Sequence, residues 1–282
     1  MAKIRFVTDS TCDIPADLIQ KYNISVVPVF INYNDKSYAD DGVELVRETY
    51  YNQIGNIHPH PSTSAMSPGM AEKAILEADK DADYVIIATV ASTLSGVNNA
   101  MRLGAQNLPE ERYTLIDSKS VSMGLGFQVL IGAETAEKTG GDVQATLAAM
   151  RSASERSLIY CALHTLEYLR RSGRVSWAQA NIGALLQIKP IIEVRQGVVN
   201  NVGRVRTFKR ALEDLYRLCK EASPIERLAI LHANNPTDAK ELYESLKSEI
   251  APPDTLIVGI TPAIGTNIGP GGVGVAMIQK AK

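Results

Sequence analysis

The chain has 282 residues, 45% of them hydrophobic and 21% charged, with a net charge of −2 at neutral pH. That length holds two domains or one large α/β unit, and the near-neutral balance gives no general attraction for nucleic acid or an anionic membrane. No apolar run approaches the ~18 residues that span a bilayer, and the chain enters a strand within its first residues, which predicts no signal peptide and a cytoplasmic location.

Strand-like and helix-like segments alternate from the start. Residues 3–8 read as a strand, and Asp13, two residues before Pro15, reads as the N-cap of a helix. Residues 24–33 are rich in β-branched side chains and predict a second strand. A helix over 43–54 precedes a rigid loop at His58-Pro59-His60-Pro61 and a turn at 63–69. Helices at 70–80, 96–108, 120–138 and 142–156 then interleave with strands at 84–90 and 113–117. This βαβ rhythm implies a doubly wound, mainly parallel sheet.

From about residue 157 the rhythm restarts. Strands are expected at 158–163, 188–193, 197–205, 228–232, 255–260 and 273–278, with Asn200-Asn201 as turn residues. Helices are expected at 166–171, 178–186, 207–221 and 236–250, the second with Ile182, Leu185 and Leu186 on one face. The reading is two α/β domains, 1–155 and 156–282, with the last segments free to cross back.

Five aliphatic runs end in small polar or glycine turns: Thr8-Asp9-Ser10, Ser92 to Gly96, Asp117-Ser118, His232-Ala233-Asn234, and Gly265 to Gly272. In an open α/β sheet, ligands settle outside the carboxyl ends of the strands, so these turns read as the wall of one polar site. No Walker A pattern and no G-x-S-x-G elbow occurs. A literal G-x-G-x-x-G at Gly269 to Gly274 is followed by only eight residues, too few for a dinucleotide fold. His58 and His60 lack a third ligand and read as loop residues, and Cys12, Cys161 and Cys219 lack metal spacing and read as reduced, packed thiols. Neither a cofactor nor a metal is expected.

The turns at 63–67, 92–98 and 265–272 contain no Lys or Arg, yet offer Thr63, Ser64, Ser67, Ser92, Ser95, Thr266, Asn267 and glycine amides. Such a cradle suits a single carboxylate better than a phosphate-rich ligand. The same residues would serve equally as N-caps and turns with no ligand. Hydrogen bonds at roughly 0.5–3 kcal/mol each would orient the anion. Tight binding would need apolar burial, at about 0.8 kcal/mol per methylene, and points to a fatty acid. Aromatics are only 6% of the chain, so its interior is largely aliphatic. Met123, Leu125, Ile182, Leu185, Leu186 and Ile191 are candidates for the tail's wall and equally for plain core.

In chain order the sequence resembles the DegV family at six places: Thr8-Asp9-Ser10, Thr63-Ser64-Ala65-Met66-Ser67-Pro68-Gly69, Leu94-Ser95-Gly96, Asp117-Ser118, the segment from Leu166 to Val175, and Val205-Arg206-Thr207. Characterised members are fatty-acid-binding subunits of bacterial fatty acid kinase. The resemblance implies a lipid tunnel between two α/β domains, with the carboxylate held by Thr63 and Ser95 and aided by Ser64, Gly96 and Asn267. It also implies a separate kinase subunit that phosphorylates the bound long-chain fatty acid with ATP to an acyl phosphate, with Arg174 and Arg206 docking that partner or supplying charge. The chain itself would carry no catalytic residue; a monomer is the default expectation, independent of the resemblance.

Two departures bear on that picture. Asn267 stands where the family commonly has a His, and it can donate a hydrogen bond but cannot become cationic. Ala65-Met66 replaces Gln-Pro and loosens a turn. The alternatives are a serine-type hydrolase or small-molecule phosphotransferase, with Ser95 or His232 in a chemical role, or a lipid-sensing regulator.

Overall fold

The computed structural model describes residues 2–179 and 188–281. β1 (Ile4–Asp9) leads through a 3-10 turn and α1 (Ala16–Lys21) to β2 (Ser25–Val27). The strand expected over 24–33 is broken at Pro28, which has no N–H to give a ladder. Its second part, β3 (Phe30–Tyr33), belongs to a different sheet. β3 turns through Asn34-Asp35, both with positive φ, into β4 (Lys36–Ala39). Asn and Asp tolerate the backbone that such a two-residue hairpin demands.

Helix α2 (Arg47–Gln53) starts later than expected, because residues 41–44 curl around the Asp41 carboxylate, which accepts the Val43 and Glu44 amides at 2.8 Å. β5 (Ser62–Ser64) completes a three-stranded antiparallel sheet in the order β4-β3-β5. Ser67 caps α3 (Pro68–Asp79), with Pro at its first position. β6 (Tyr84–Thr89), α4 (Val97–Gly104) and β7 (Tyr113–Asp117) return to the first sheet, whose order is β2-β1-β6-β7 and whose pairings are all parallel. α5 (Met123–Thr139) is apolar on most sides and buried over its first half. It touches both β1 and β13 (below), and α6 (Val143–Arg156) lies along it.

The rest of the chain builds a mixed six-stranded sheet. Its elements are β8 (Ser157–Ala162), α7 (Glu167–Ser172), α8 (Ser176–Gln179), β9 (Lys189–Arg195), β10 (Val198–Val205), α9 (Phe208–Ala222), β11 (Ile225–His232), α10 (Pro236–Lys247), β12 (Leu256–Gly259), α11 (Pro262–Ile268) and β13 (Val273–Gln279). The strand order is β10-β9-β8-β13-β11-β12, parallel only between β11 and β12. Side chains alternate across it. Leu158, Tyr160 and Ala162 pack with Leu215 and Leu242 of α9 and α10, whereas Ile159, Val194, Leu231 and Ile278 face the large core shared with the parallel sheet.

Two further expectations change, and a third lies mostly outside the described residues. Asn200-Asn201 lies inside β10, with a bulge at Asn201–Gly203, and the hairpin turn is Gln196-Gly197. α11 falls in a segment expected to be turn. The helix expected at 178–186 meets α8 only at its first residues, and Ile182, Leu185 and Leu186 lie outside the described residues.

Candidate ligand-binding site

A cavity of about 210 Å3 lies where the three sheets meet. From the parallel sheet it takes Thr11 after β1, and Val90, Leu94, Ser95 and Gly96 after β6. The small antiparallel sheet contributes Thr63 and Ser64 of β5, with Val29 just before β3 and Ala65 just after β5. From the mixed sheet come Ile192, Val194 and Val199. The α7 corner supplies Leu169, Ser172, Arg174 and Val175, and α11 supplies Ala263, Ile264, Asn267 and Ile268. Thr63, Ser64, Ser95, Gly96, Asn267 and Arg174 therefore share one cavity. The remaining wall is almost wholly aliphatic.

Each polar group there is positioned by its element. Thr63 sits opposite Ile31 in the β3–β5 ladder, and Ser64 Oγ accepts from Asn32 Nδ2 at 3.1 Å. Ser95 Oγ accepts the Val97 amide at 3.4 Å, at the start of α4, which leaves its proton to donate. Asn267 Nδ2 donates to Ala263 O, one turn back on α11, at 2.7 Å. Its amide has a second N–H beyond that bond. Arg174 follows Gly173, whose φ of 71° ends α7 in the left-handed region that glycine adopts without strain. The guanidinium donates to Ser172 O at 2.7 Å and to Thr63 Oγ1 at 3.2 Å. The cradle is thus not neutral: a cation reaches the threonine from 111 residues away in sequence.

Other candidates are engaged elsewhere. Ser67 caps α3, and Ser92 Oγ donates to Asp117 at 2.5 Å. Thr266 is buried, donating to Pro262 O and bonded to Tyr50 Oη. Arg206 is exposed at the end of β10 and does not line the cavity. His60 Nε2 faces Thr266 O at 3.1 Å, and burial lowers its pKa. Met123, Leu125 and Ile191 are fully buried core residues and not cavity wall. Gly269 has φ of 84°, and a Cβ there would stand 2.4 Å from the Tyr168 ring. That close approach seats the turn after α11 against α7.

Sequence reasoning missed the two carboxylates that hold α11. Asp13 has φ of 51° and caps no helix in the expected way. It is buried, and its carboxylate accepts the Thr261 amide at 2.7 Å and Ser122 Oγ at 2.6 Å. Asp40 accepts from Thr261 Oγ1 and, at 3.2 Å, from the Ala263 amide. Two acids thereby meet the amino end of the helix that carries Asn267. Burial pushes Asp13 up to about 7, opposed chiefly by Arg47, and pushes Asp40 up to about 6, opposed chiefly by the Thr261 hydroxyl. Thr11, a further cavity residue not anticipated, donates to Asp9 Oδ1 at 2.5 Å.

These features coincide with a family match over nearly the whole chain. A family model described as uncharacterised protein, DegV family, matches residues 3–280. The chain belongs to the DegV family. A DegV domain-containing protein of Clostridium perfringens is 31% identical over 287 residues, covering 99% of each chain. Among solved structures, one described as showing fatty acid binding of a DegV family protein from Thermus thermophilus is 29% identical, with a TM-score of 0.90 over 99% of this chain and 100% of the other. DegV of Bacillus subtilis, described as a fatty acid binding protein, is 26% identical, with a TM-score of 0.85 over 99% and 100%. The mixed α/β fold, with its parallel sheet and further sheets, is thus a DegV fold. No helix among the described residues is long and apolar enough to cross a membrane.

Proposed function

We propose that this protein binds a long-chain fatty acid, with the carboxylate at the Thr63, Ser95 and Arg174 end and the tail along the aliphatic wall. The two halves, 1–155 and 156–282, form the two sides of the slot. The observation that carries this is one cavity whose polar positions are hydroxyls, the Asn267 carboxamide and the Arg174 guanidinium, with an otherwise almost wholly aliphatic wall. Relatives described as fatty-acid-binding support it. Burial of methylenes supplies affinity at about 0.8 kcal/mol each, before ordering costs.

The chain presents the carboxylate to a separate kinase subunit, which transfers phosphate from ATP and gives an acyl phosphate. Arg174 orients the carboxylate, and Arg206, exposed and outside the cavity, is available to the partner. The protein acts in the cytoplasm as a monomer. A hydrolase built on Ser95 and His232 has less support. Ser95 Oγ engages Val97 N, and His232 Nδ1 accepts from the Asn235 amide at 3.3 Å, with no bond between Ser95 and His232 among the described residues.

Native mass spectrometry of protein expressed in bacteria is expected to show co-purified acyl chains, and stripped protein is expected to take up palmitate or oleate. An empty protein unable to take up either acid overturns the reading. Reconstitution with a kinase subunit and ATP, trapping acyl phosphate as hydroxamate, tests the second step separately.

A further inference from the structure

The aliphatic slot does not stop at the main cavity. A second lobe of about 60 Å3 adjoins it, and Val121, Ile192, Val194, Ile264 and Ile268 line both. Beyond that shared ring the walls come from Ile159 and Cys161 of β8, from Leu231, His232 and Ala233 at the end of β11, and from Gly272. His232 is turned to the Asn235 amide through Nδ1, and burial lowers its pKa, so the lobe gains no cation from it near neutral pH.

Cys161 is the informative wall residue. Strand alternation puts its neighbours Tyr160 and Ala162 into the α9–α10 layer, where both are buried. Cys161 points to the other face and keeps accessible surface. Its thiol donates a long 3.8 Å hydrogen bond to Ala162 O, and burial pushes it up to about 12. Cys161 lines the lobe with that surface, and a thiol this poorly ionised acts as a small apolar side chain.

We infer that this lobe receives the methyl end of the bound acyl chain and that Cys161 sets the longest chain the protein accepts. The inference rests on the fatty-acid reading above. A small side chain at this position leaves the lobe open, and a larger one fills it and takes burial from the terminal carbons only. Each excluded methylene costs about fourfold in affinity.

The test is competitive binding of decanoate, laurate, myristate, palmitate and stearate to stripped wild type, Cys161→Ala, Cys161→Leu and Cys161→Phe. In the wild type and Cys161→Ala, affinity is expected to rise through stearate. Cys161→Phe is expected to bind laurate as wild type does and to lose about tenfold or more for stearate, with Cys161→Leu between them. Unchanged laurate binding shows that the fold is intact. Where the Phe variant takes up no laurate, the milder Leu variant decides. Leu and Phe profiles that run parallel to wild type overturn the assignment of Cys161. A wild type that binds none of these acids overturns the fatty-acid reading instead.

Discussion

Arg174 and Thr63 show how a weak polar site gains direction. Threonine alone is a neutral donor and acceptor, but with the guanidinium 3.2 Å from its oxygen it sits in a field that favours an anion. Hydrogen bonds to charged groups exceed neutral ones, yet Arg174 is exposed and screened. Arg174→Ala is therefore expected to weaken palmitate binding about tenfold while leaving the methyl ester of palmitate, which has no charge to pair, almost unaffected. Displacement of a fluorescent fatty acid measures both ligands. Equal losses for acid and ester would mean that Arg174 supports the slot's shape and not its charge recognition. Lysine cannot reproduce the planar fork, so Arg174→Lys is expected to recover only part of the affinity.

At the scale of elements, α11 is the piece on which the site depends and the piece least visible in the sequence. Pro262 to Ile268 contains Gly265, Thr266 and Asn267, all poor helix formers. The helix exists because Asp13 and Asp40 bind its first turn across 248 and 223 residues. Those carboxylates leave a pH signature. Asp13 rises to about 7 from an ordinary value near 3.9, so between those values the folded chain holds a proton that the unfolded chain has released. Its stabilising contribution is full below pH ~4 and is lost as pH rises through about 7, with Asp40 acting in the same direction. Asp13→Asn keeps an acceptor for the Thr261 amide without the charge. It is expected to lose less stability than wild type between pH ~4 and pH ~8, by on the order of 2 kcal/mol, in urea midpoints. Midpoints that move in parallel would clear Asp13 of this role.

The contrast explains what was legible. β6 and β7, and the helices α3, α5, α6, α9 and α10, have uninterrupted apolar runs or periodicity, and a local window contains their cause. Ser95, Gly96 and Asn267 stood out because polar turns after aliphatic runs are a local pattern too, and Thr63 stood out in a turn without Lys or Arg and through the family resemblance. Arg174 was visible as a charge, but its reach to Thr63 was not. Thr11 and the Val121, Ile192, Val194 ring look like any core residues until the sheets are placed. Pro28 carried a warning, since a proline inside an apparent strand argues against continuity.

At the scale of the whole molecule, the slot is a junction held by contacts that cross it. The β9–β10 turn docks on the parallel sheet's loops, with Thr93 Oγ1 donating to Gly197 O at 2.6 Å and the Gly197 amide donating to Lys119 O at 2.7 Å. Arg227 on β11 pairs with Glu134 on α5 at 2.5 Å. A ligand in the cavity would touch residues of all three sheets and add apolar contacts along its aliphatic wall. Because the unfolded chain offers no such slot, saturation a hundredfold above the dissociation constant adds about 2.7 kcal/mol of stability. For a chain of this size that is about 5 °C in melting temperature. Calorimetry of stripped and palmitate-loaded protein measures the shift, and hydrogen exchange locates it. Slowed exchange is expected in β5, β9 and α11 together, since the three elements contribute to one cavity. Protection confined to one of them would place the ligand on a surface and not in the junction.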